Sequence, residues 1–410
     1  MSRRLVRAAA VAAALLPAWA AAATLSLEQA MDLAVQRSES TRAARAGARG
    51  AAEKARAAGQ QADPMLTVGV DNLPVTGRDR FRTAAEEMTM KRIGLAQEWV
   101  SSDKRAARQA AALAMADRES SMERVSAAET RLQTALAYLD AYYAGEALRF
   151  TTLNEGHARE ALEAGRGRLA AAAGGGSADV LALSSSLGAA EDESGEARQQ
   201  QAVAAAALHR WVGLLPEELL APGTGPAPSE SQYVASHPAV VMRQRDIEIA
   251  RREVEEARLN RRSNWTWEVF YGQRQGYADM VSFGVSIPLT VAPGARQDRE
   301  TAARQALLDK AEAELAEARR AAQGEFAALT IEAGRLQERI DRFRARVIAP
   351  AQQRTAAATA AYRSNQASLA MLFEARHAEV EAQRKRLALE RDLAKTQAQL
   401  TFKPIAGVAP

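Results

Sequence analysis

The sequence predicts a mainly α protein with a transmembrane β-barrel portion. Three observations predict it. Alanine, glutamate, arginine and glutamine dominate the 410 residues while aromatics make up 5%, the mixture of long packed helices or coiled coil. Four segments alternate apolar with small or polar residues, as a strand with one apolar face does. The same series of helix, strand, strand, long helix and helix is written twice along the chain.

Residues 1–23 read as a secretory signal. Arg3, Arg4 and Arg7 precede the short apolar run Ala8 to Leu16, Pro17 breaks it, and small residues lead to a cleavage expected before Thr24. The run is too short to span a bilayer as a helix. It holds three of the 54 basic residues and none of the 50 acidic ones, which leaves a net charge of +1. The two signs are interspersed, against a nucleic-acid partner. No later stretch is long and apolar enough for a membrane helix, so any membrane entry is by strands. The absence of cysteine excludes disulfide scaffolds, thiol catalysis and thiolate metal sites.

The first repeat is expected over 24–212: a helix at 27–62, strands at 64–71 and 88–99, a long helix at 103–168 and a last helix at 178–212. A segment at 213–235, rich in Pro and Gly, follows. The second repeat occupies 236–402, with a helix at 238–262, strands at 264–271 and 280–289, a long helix at 294–360 and a helix at 368–402. Residues 403–410 form a tail. Gly94-Leu95-Ala96-Gln97 matches Gly284-Val285-Ser286-Ile287, and Ser177-Ala178-Asp179-Val180-Leu181 matches Ser368-Leu369-Ala370-Met371-Leu372.

The long helices rest on stripes: Leu132, Leu136, Leu139 and Tyr143 in one, Leu308, Ala311, Leu315, Ala318 and Ala322 in the other. Alanine on a stripe lets helices approach closely. In the strands, Trp265, Trp267, Val269 and Tyr271 alternate with Thr266 and Glu268, and Phe270 breaks the polar side. Val281, Phe283, Val285 and Ile287 alternate with Ser282, Gly284 and Ser286; Leu66, Val68 and Val70 with Thr67, Gly69 and Asp71; Ile93 and Leu95 with Arg92, Gly94 and Ala96. Trp99, Trp265 and Tyr271 lie near strand ends, where an interfacial aromatic girdle would put them. Four strands cannot close a barrel and open edges cannot face lipid, so the chain must associate with copies of itself.

The duplicated order of elements resembles the TolC family of outer-membrane efflux proteins. The stretch Asp63-Pro64-Met65-Leu66-Thr67-Val68-Gly69-Val70-Asp71-Asn72-Leu73-Pro74, with Met88-Thr89-Met90-Lys91 and Gly94-Leu95-Ala96-Gln97-Glu98, is similar to the branch associated with heavy-metal cation efflux. The resemblance implies a homotrimer with a TolC-like α/β barrel: twelve strands, four from each protomer, in the outer membrane, and long antiparallel helices forming a tunnel through the periplasm. It implies as partners outer-membrane lipid, a periplasmic adaptor protein and an inner-membrane pump of the RND type. It makes 72–88 and 272–279 outer loops, and it makes 213–235 with the C-terminus an equatorial girdle.

The resemblance also implies site residues. Asp179 and Tyr362 match the gate positions of the family, and Arg363 is read as a cation substituting for the arginine that Ala367 replaces. Asn365 stands where a glycine is usual and Ala367 where other members carry arginine. Gly174, Gly175, Gly176, Ser177, Asn365 and Ser368 fall in the tips that would dock the adaptor. Asp179 also reads as a helix N-cap acid, and the three glycines as a plain helix break.

No catalytic residue, cofactor site or metal site is expected. The chain has no phosphate loop, dinucleotide fingerprint or zinc-protease helix. His157, His209, His237 and His377 have no ligand partners at metal spacing, and His237-Pro238 reads as a helix entry. Met88 and Met90 could touch a soft cation in passing, and read better as strand or loop residues. The function expected is a passive efflux conduit, with heavy-metal cations as its substrate. Drug efflux and type I protein secretion use the same architecture. A periplasmic coiled-coil scaffold is the competing reading of another class.

Overall fold

The computed structural model describes residues 24–171, 176–223, 225–364 and 366–405. The expected signal at 1–23, the tip residues Gly174, Gly175 and Asn365, and the tail after Ile405 lie outside the described residues. In chain order the first half comprises β1 (Thr24–Leu25), α1 (Leu27–Arg37), α2 (Glu39–Ala58), β2 (Met65–Asp71), β3 (Met90–Trp99), α3 (Ser102–Ala170) and α4 (Ser177–Val212). Then come β4 (Glu218–Leu219), α5 (Glu230–Ser236), α6 (Pro238–Leu259), β5 (Trp265–Gln273), β6 (Met280–Ser286), α7 (Gln297–Phe343), α8 (Ala349–Arg363) and α9 (Leu369–Phe402).

Three expected elements differ. The first helix is two, because Ser38 takes an extended conformation and its Oγ accepts the Thr41 N–H at 3.2 Å, starting α2 afresh. The long helix expected at 294–360 is interrupted by a π turn at Arg344–Ile348. Pro350, at the start of α8, has no N–H for the Arg346 carbonyl and its ring crowds that carbonyl, so the helix widens just before it. The segment 213–235 is not only linker. It opens at Gly213, which takes a left-handed φ of 77° and caps α4 through the His209 carbonyl. It also holds β4, paired in parallel with β1, and α5.

Two compact units share these elements. The first draws on 24–34, Thr134–Gly223 and Ile348–Ala388. Its core packs Ala158, Ala161 and Leu162 of α3, Leu183 and Ala190 of α4, and Leu369, Leu372 and Phe373 of α9. Tyr138, wholly buried on α3, donates its hydroxyl to the carbonyls of Leu25 (2.6 Å) and Leu220 (2.7 Å), pinning the β1–β4 pair. Burial pushes that phenol up to about 12. Glu155 of α3 is buried between two arginines. It accepts from Ser194, from Arg198 (2.9 Å) and from Arg159 (2.8 Å), and the Ser194 bond first and the arginines next hold its carboxyl below the usual range.

The second unit draws on Val35–Gln133, 225–347 and 389–405. Its helices include an α6–α7 pair in which Val240, Ile247 and Ala250 meet Ala311, Leu315 and Ala322, with Leu308 and Ala318 packed alongside. The whole expected stripe of the second long helix is therefore in contact. The first stripe is rotated: Leu132 and Leu139 are buried and Leu136 and Tyr143 half-buried, while Ala135 and Tyr138 are fully buried. Around α5, Tyr233 packs with Leu329, Leu400 and Phe326, and the Ile405 N–H donates to the Ser236 carbonyl.

Glu325 of α7 gathers the charges at that junction. Tyr233 donates to it at 3.2 Å and Lys403 pairs with it. His237 Nε2 lies 3.4 Å from its other oxygen. Burial alone would raise the Glu325 carboxyl; the bond and charge of Lys403 override it and hold it low. His237 begins α6 as the sequence suggests, its Nδ1 accepting the Ala239 N–H at 3.3 Å ahead of Pro238.

Candidate functional site

β2, β3, β5 and β6 form one antiparallel sheet in that order, so the strands of the two repeats meet at the β3–β5 pairing. The register puts Leu66, Val68 and Val70 on the same face as Ile93 and Leu95. It continues that face through Val269 and Tyr271 to Val281, Phe283 and Val285. Most of these side chains are exposed, Val68 to 71% and Phe283 to 80%. Trp99 pairs directly with Trp265 at the end of the sheet that leads into the helices, both exposed on this face. Tyr271 lies near the loop end, and its hydroxyl donates to Asp279. A continuous apolar face of this size has no cover among the described residues, and no helix of the described residues is long and apolar enough to cross a membrane.

The opposite face is built of Thr67, Gly69, Gly94, Ala96, Thr266, Ser282, Gly284 and Ser286, with a few large residues among them. Three of the large residues lie over a glycine of the neighbouring strand. Phe270 covers Gly94, Met90 covers Gly272 and Glu268 covers Gly284. Arg92 stacks on Phe270, its guanidinium 4.4 Å from the ring centre, and pairs with Asp71 at 3.3 Å. This accounts for the break that Phe270 makes in the alternation.

Polar clasps fix the helix-proximal end of the sheet. Gln61 and Val100 exchange two bonds of 3.1 Å. Lys104, buried at the start of α3, donates to the Arg262 carbonyl and to Asn264 Oδ1 (2.7 Å), and Asn264 donates to Glu98 (2.7 Å). Burial, then the charge of Arg108, lowers the Lys104 ammonium from its ordinary value.

The first unit carries the expected tips. Asp179 is exposed and caps its own helix: the Gly176 N–H donates to its Oδ2 at 3.3 Å, and its N–H donates to the Gly176 carbonyl at 3.1 Å. Ser177 opens α4, and Ser368 Oγ accepts the Met371 N–H at 3.3 Å to open α9. Tyr362 is half-buried against the α3–α4–α9 core, with the Arg168 guanidinium 4.9 Å from its ring centre. Arg363 is exposed in the last turn of α8. Tyr362 is thus joined to Arg168, which the sequence reading passed over because a single arginine at a helix end carries no signal. Lys104 escaped it for the same reason.

Also in this unit, an open groove of about 900 Å³ runs along α3 and α4, lined by Tyr142, Leu153, His157, Leu208 and Leu215 among others. Among the described residues no group of three or more His, Asp or Glu side chains could hold a metal ion.

No protein-family model matches the chain, and no curated protein matches its sequence. Solved structures match its fold. The outer membrane protein VceC of Vibrio cholerae superposes with a TM-score of 0.73 at 18% identity, over 92% of this chain and 95% of that one. CusC, solved in a study of folding and transmembrane channel formation, gives 0.75 at 12%, over 92% and 91%. The Campylobacter jejuni CmeC outer membrane channel gives 0.75 at 13%, over 92% and 85%. The TolC-like arrangement of long helices and a partial barrel is therefore the fold of this chain, with the barrel left open in a single copy.

Proposed function

We propose that the chain is one subunit of a trimeric outer-membrane channel of the TolC type, a conduit that carries out no reaction. One observation carries this reading: a four-stranded sheet whose apolar face is uncovered and whose outer strands, β2 and β6, each have one unpaired edge. Such a sheet is stable in lipid only when other copies pair its edges, and three copies supply twelve strands. The Trp99–Trp265 pair and Tyr271 would then sit at the two membrane interfaces. The groove along α3 and α4, and exposed apolar residues such as Leu153, Leu181 and Val203, offer surface for neighbouring subunits.

On this reading the helices extend into the periplasm. The turns after α3 and α8 meet an adaptor protein, and an inner-membrane pump of the RND type drives export. Asp179, Tyr362 and Arg363 form the gate, and Gly176, Ser177 and Ser368 belong to the docking tips. The substrate proposed is heavy-metal cations. Its support is the resemblance of segments 63–74, 88–91 and 94–98 to that branch. A conduit needs no tight metal site, because tight binding would slow release.

The test is purification in detergent followed by planar-bilayer recording. A heat-modifiable oligomer that forms pores is the expected result; a water-soluble monomer without pores overturns the reading. A deletion strain is expected to lose tolerance to copper, silver, zinc, cobalt or cadmium. Unchanged tolerance to all five, with new drug sensitivity, would move the substrate to drugs.

A further inference from the structure

The polar face of the sheet mixes small residues with methionines and charged residues, and among the described residues it carries one aromatic ring, Phe270, in its middle. Phe270 is paired with Gly94 on one side and Ser282 on the other, and Thr67 completes that row. Phe270 is the one bulky residue in that row. Three features hold the ring. Gly94 is buried beneath it, and a Cβ there would lie 2.0 Å from the Phe270 ring. Arg92, one row further out, covers the ring at 4.4 Å. Asp71 holds Arg92 through an ion pair at 3.3 Å. An aromatic residue is costly on a wetted wall unless it is partly covered, and here Arg92 and the Gly94 backbone lie against the half-buried ring.

The geometry points to a collar. Phe270, laid flat on Gly94 and clamped by Arg92, sets the bore of the barrel, and Gly94 is the residue that keeps the ring against the wall. This rests on the conduit reading, which makes the polar face the lumen. Symmetry then places one Phe270 from each subunit at the same height, so small changes in the ring's position act on the pore several times over. A hydrated cation passes such a collar; bulkier solutes are the ones it restricts.

Gly94 and Phe270 give opposite expectations. Removing the ring with Phe270→Ala widens the pore, and single-channel conductance rises by roughly a factor of 1.5 to 2. Gly94→Ala leaves the ring no room on the wall, tilts it into the lumen and lowers conductance. In the double variant Gly94→Ala/Phe270→Ala the lowering disappears, because no ring remains to tilt. Phe270→Leu gives an intermediate value and covers the case in which Gly94→Ala fails to assemble, as judged by the heat-modifiable oligomer. Wild-type pores with unchanged conductance in Phe270→Ala and Phe270→Leu overturn the collar while leaving the conduit standing. Absence of pores from the wild-type protein overturns the conduit and the collar with it.

Discussion

Single side chains hold this chain together where its elements are short. β1 and β4 have two residues each, too few to persist on their own. Tyr138 supplies what they lack, by donating one hydroxyl to the carbonyls of Leu25 and Leu220. Tyr138→Phe keeps the buried ring and removes the hydroxyl from both carbonyls, leaving Leu25 O with only the Leu220 N–H at 3.0 Å, a loss of about 1–3 kcal/mol. Thermal denaturation in detergent should show a lowered midpoint with unchanged helix content. His237 sets a pH dependence. Burial first, and the Lys403 charge next, lower its pKa below 6.5, against the opposing pull of Glu325. The folded chain thus binds fewer protons there than the unfolded one. The stability His237 contributes is complete above pH 6.5 and is lost as pH falls below that value towards the folded pKa. Protonation would also place a hydrogen on Nδ1, which now accepts the Ala239 N–H. His237→Asn keeps a capping side chain and should flatten the stability profile below pH 6.5 in denaturant titrations.

At the scale of elements, period and punctuation were legible in the residues and side-chain partnership was not. Leu308 to Ala322 predicted its own buried stripe because Leu308 and Leu315 mark one heptad phase. On α3 the abundance of alanine left several phases open, and the fully buried Tyr138 fell outside the expected stripe. The expected strands survive to within a few residues at each end because alternation is a local signal. β4 has only two residues, and its partner lies at the other end of the first repeat, so nothing local announced it. The gate and docking positions came from resemblance alone. What the structure adds there is the Arg168–Tyr362 contact and the self-capping of Asp179.

Two predictions belong to this scale. Pro350→Ala restores an N–H to α8 and should convert the π turn at Arg344–Ile348 into regular helix, slowing amide exchange over 344–350. Val68→Arg puts a charge on the apolar face and should cost about 2–4 kcal/mol at mid-membrane depth, depleting the assembled oligomer. Thr67→Arg, one residue away on the other face, should assemble normally and alter conductance instead. Equal assembly of the two variants would contradict the lipid-facing assignment.

For the whole molecule, the open edges decide the state in which the protein can exist. On the proposed channel reading β2 meets β6 of a neighbour, and the chain has no cysteine to complicate a search for that contact. Cysteines introduced in pairs across 65–71 and 280–286 should yield oxidation-dependent, SDS-resistant trimers at matching registers. Gel mobility of the oxidised protein reads this directly, and exclusively monomeric bands at every register would argue against closure through these strands.

The order of the strands also bears on biogenesis. Because the repeats are stitched together at β3 and β5, the two outward-facing margins belong to the first and the last strand of this sheet to be synthesised. A nascent polypeptide cannot offer its second margin until β6 has been delivered. A product ending near residue 279 would still present β2 to a neighbour, and would offer β5 where β6 belongs. Co-expressed with the full chain, such a fragment should enter growing rings, leave them unsealed and act as a dominant inhibitor of assembly.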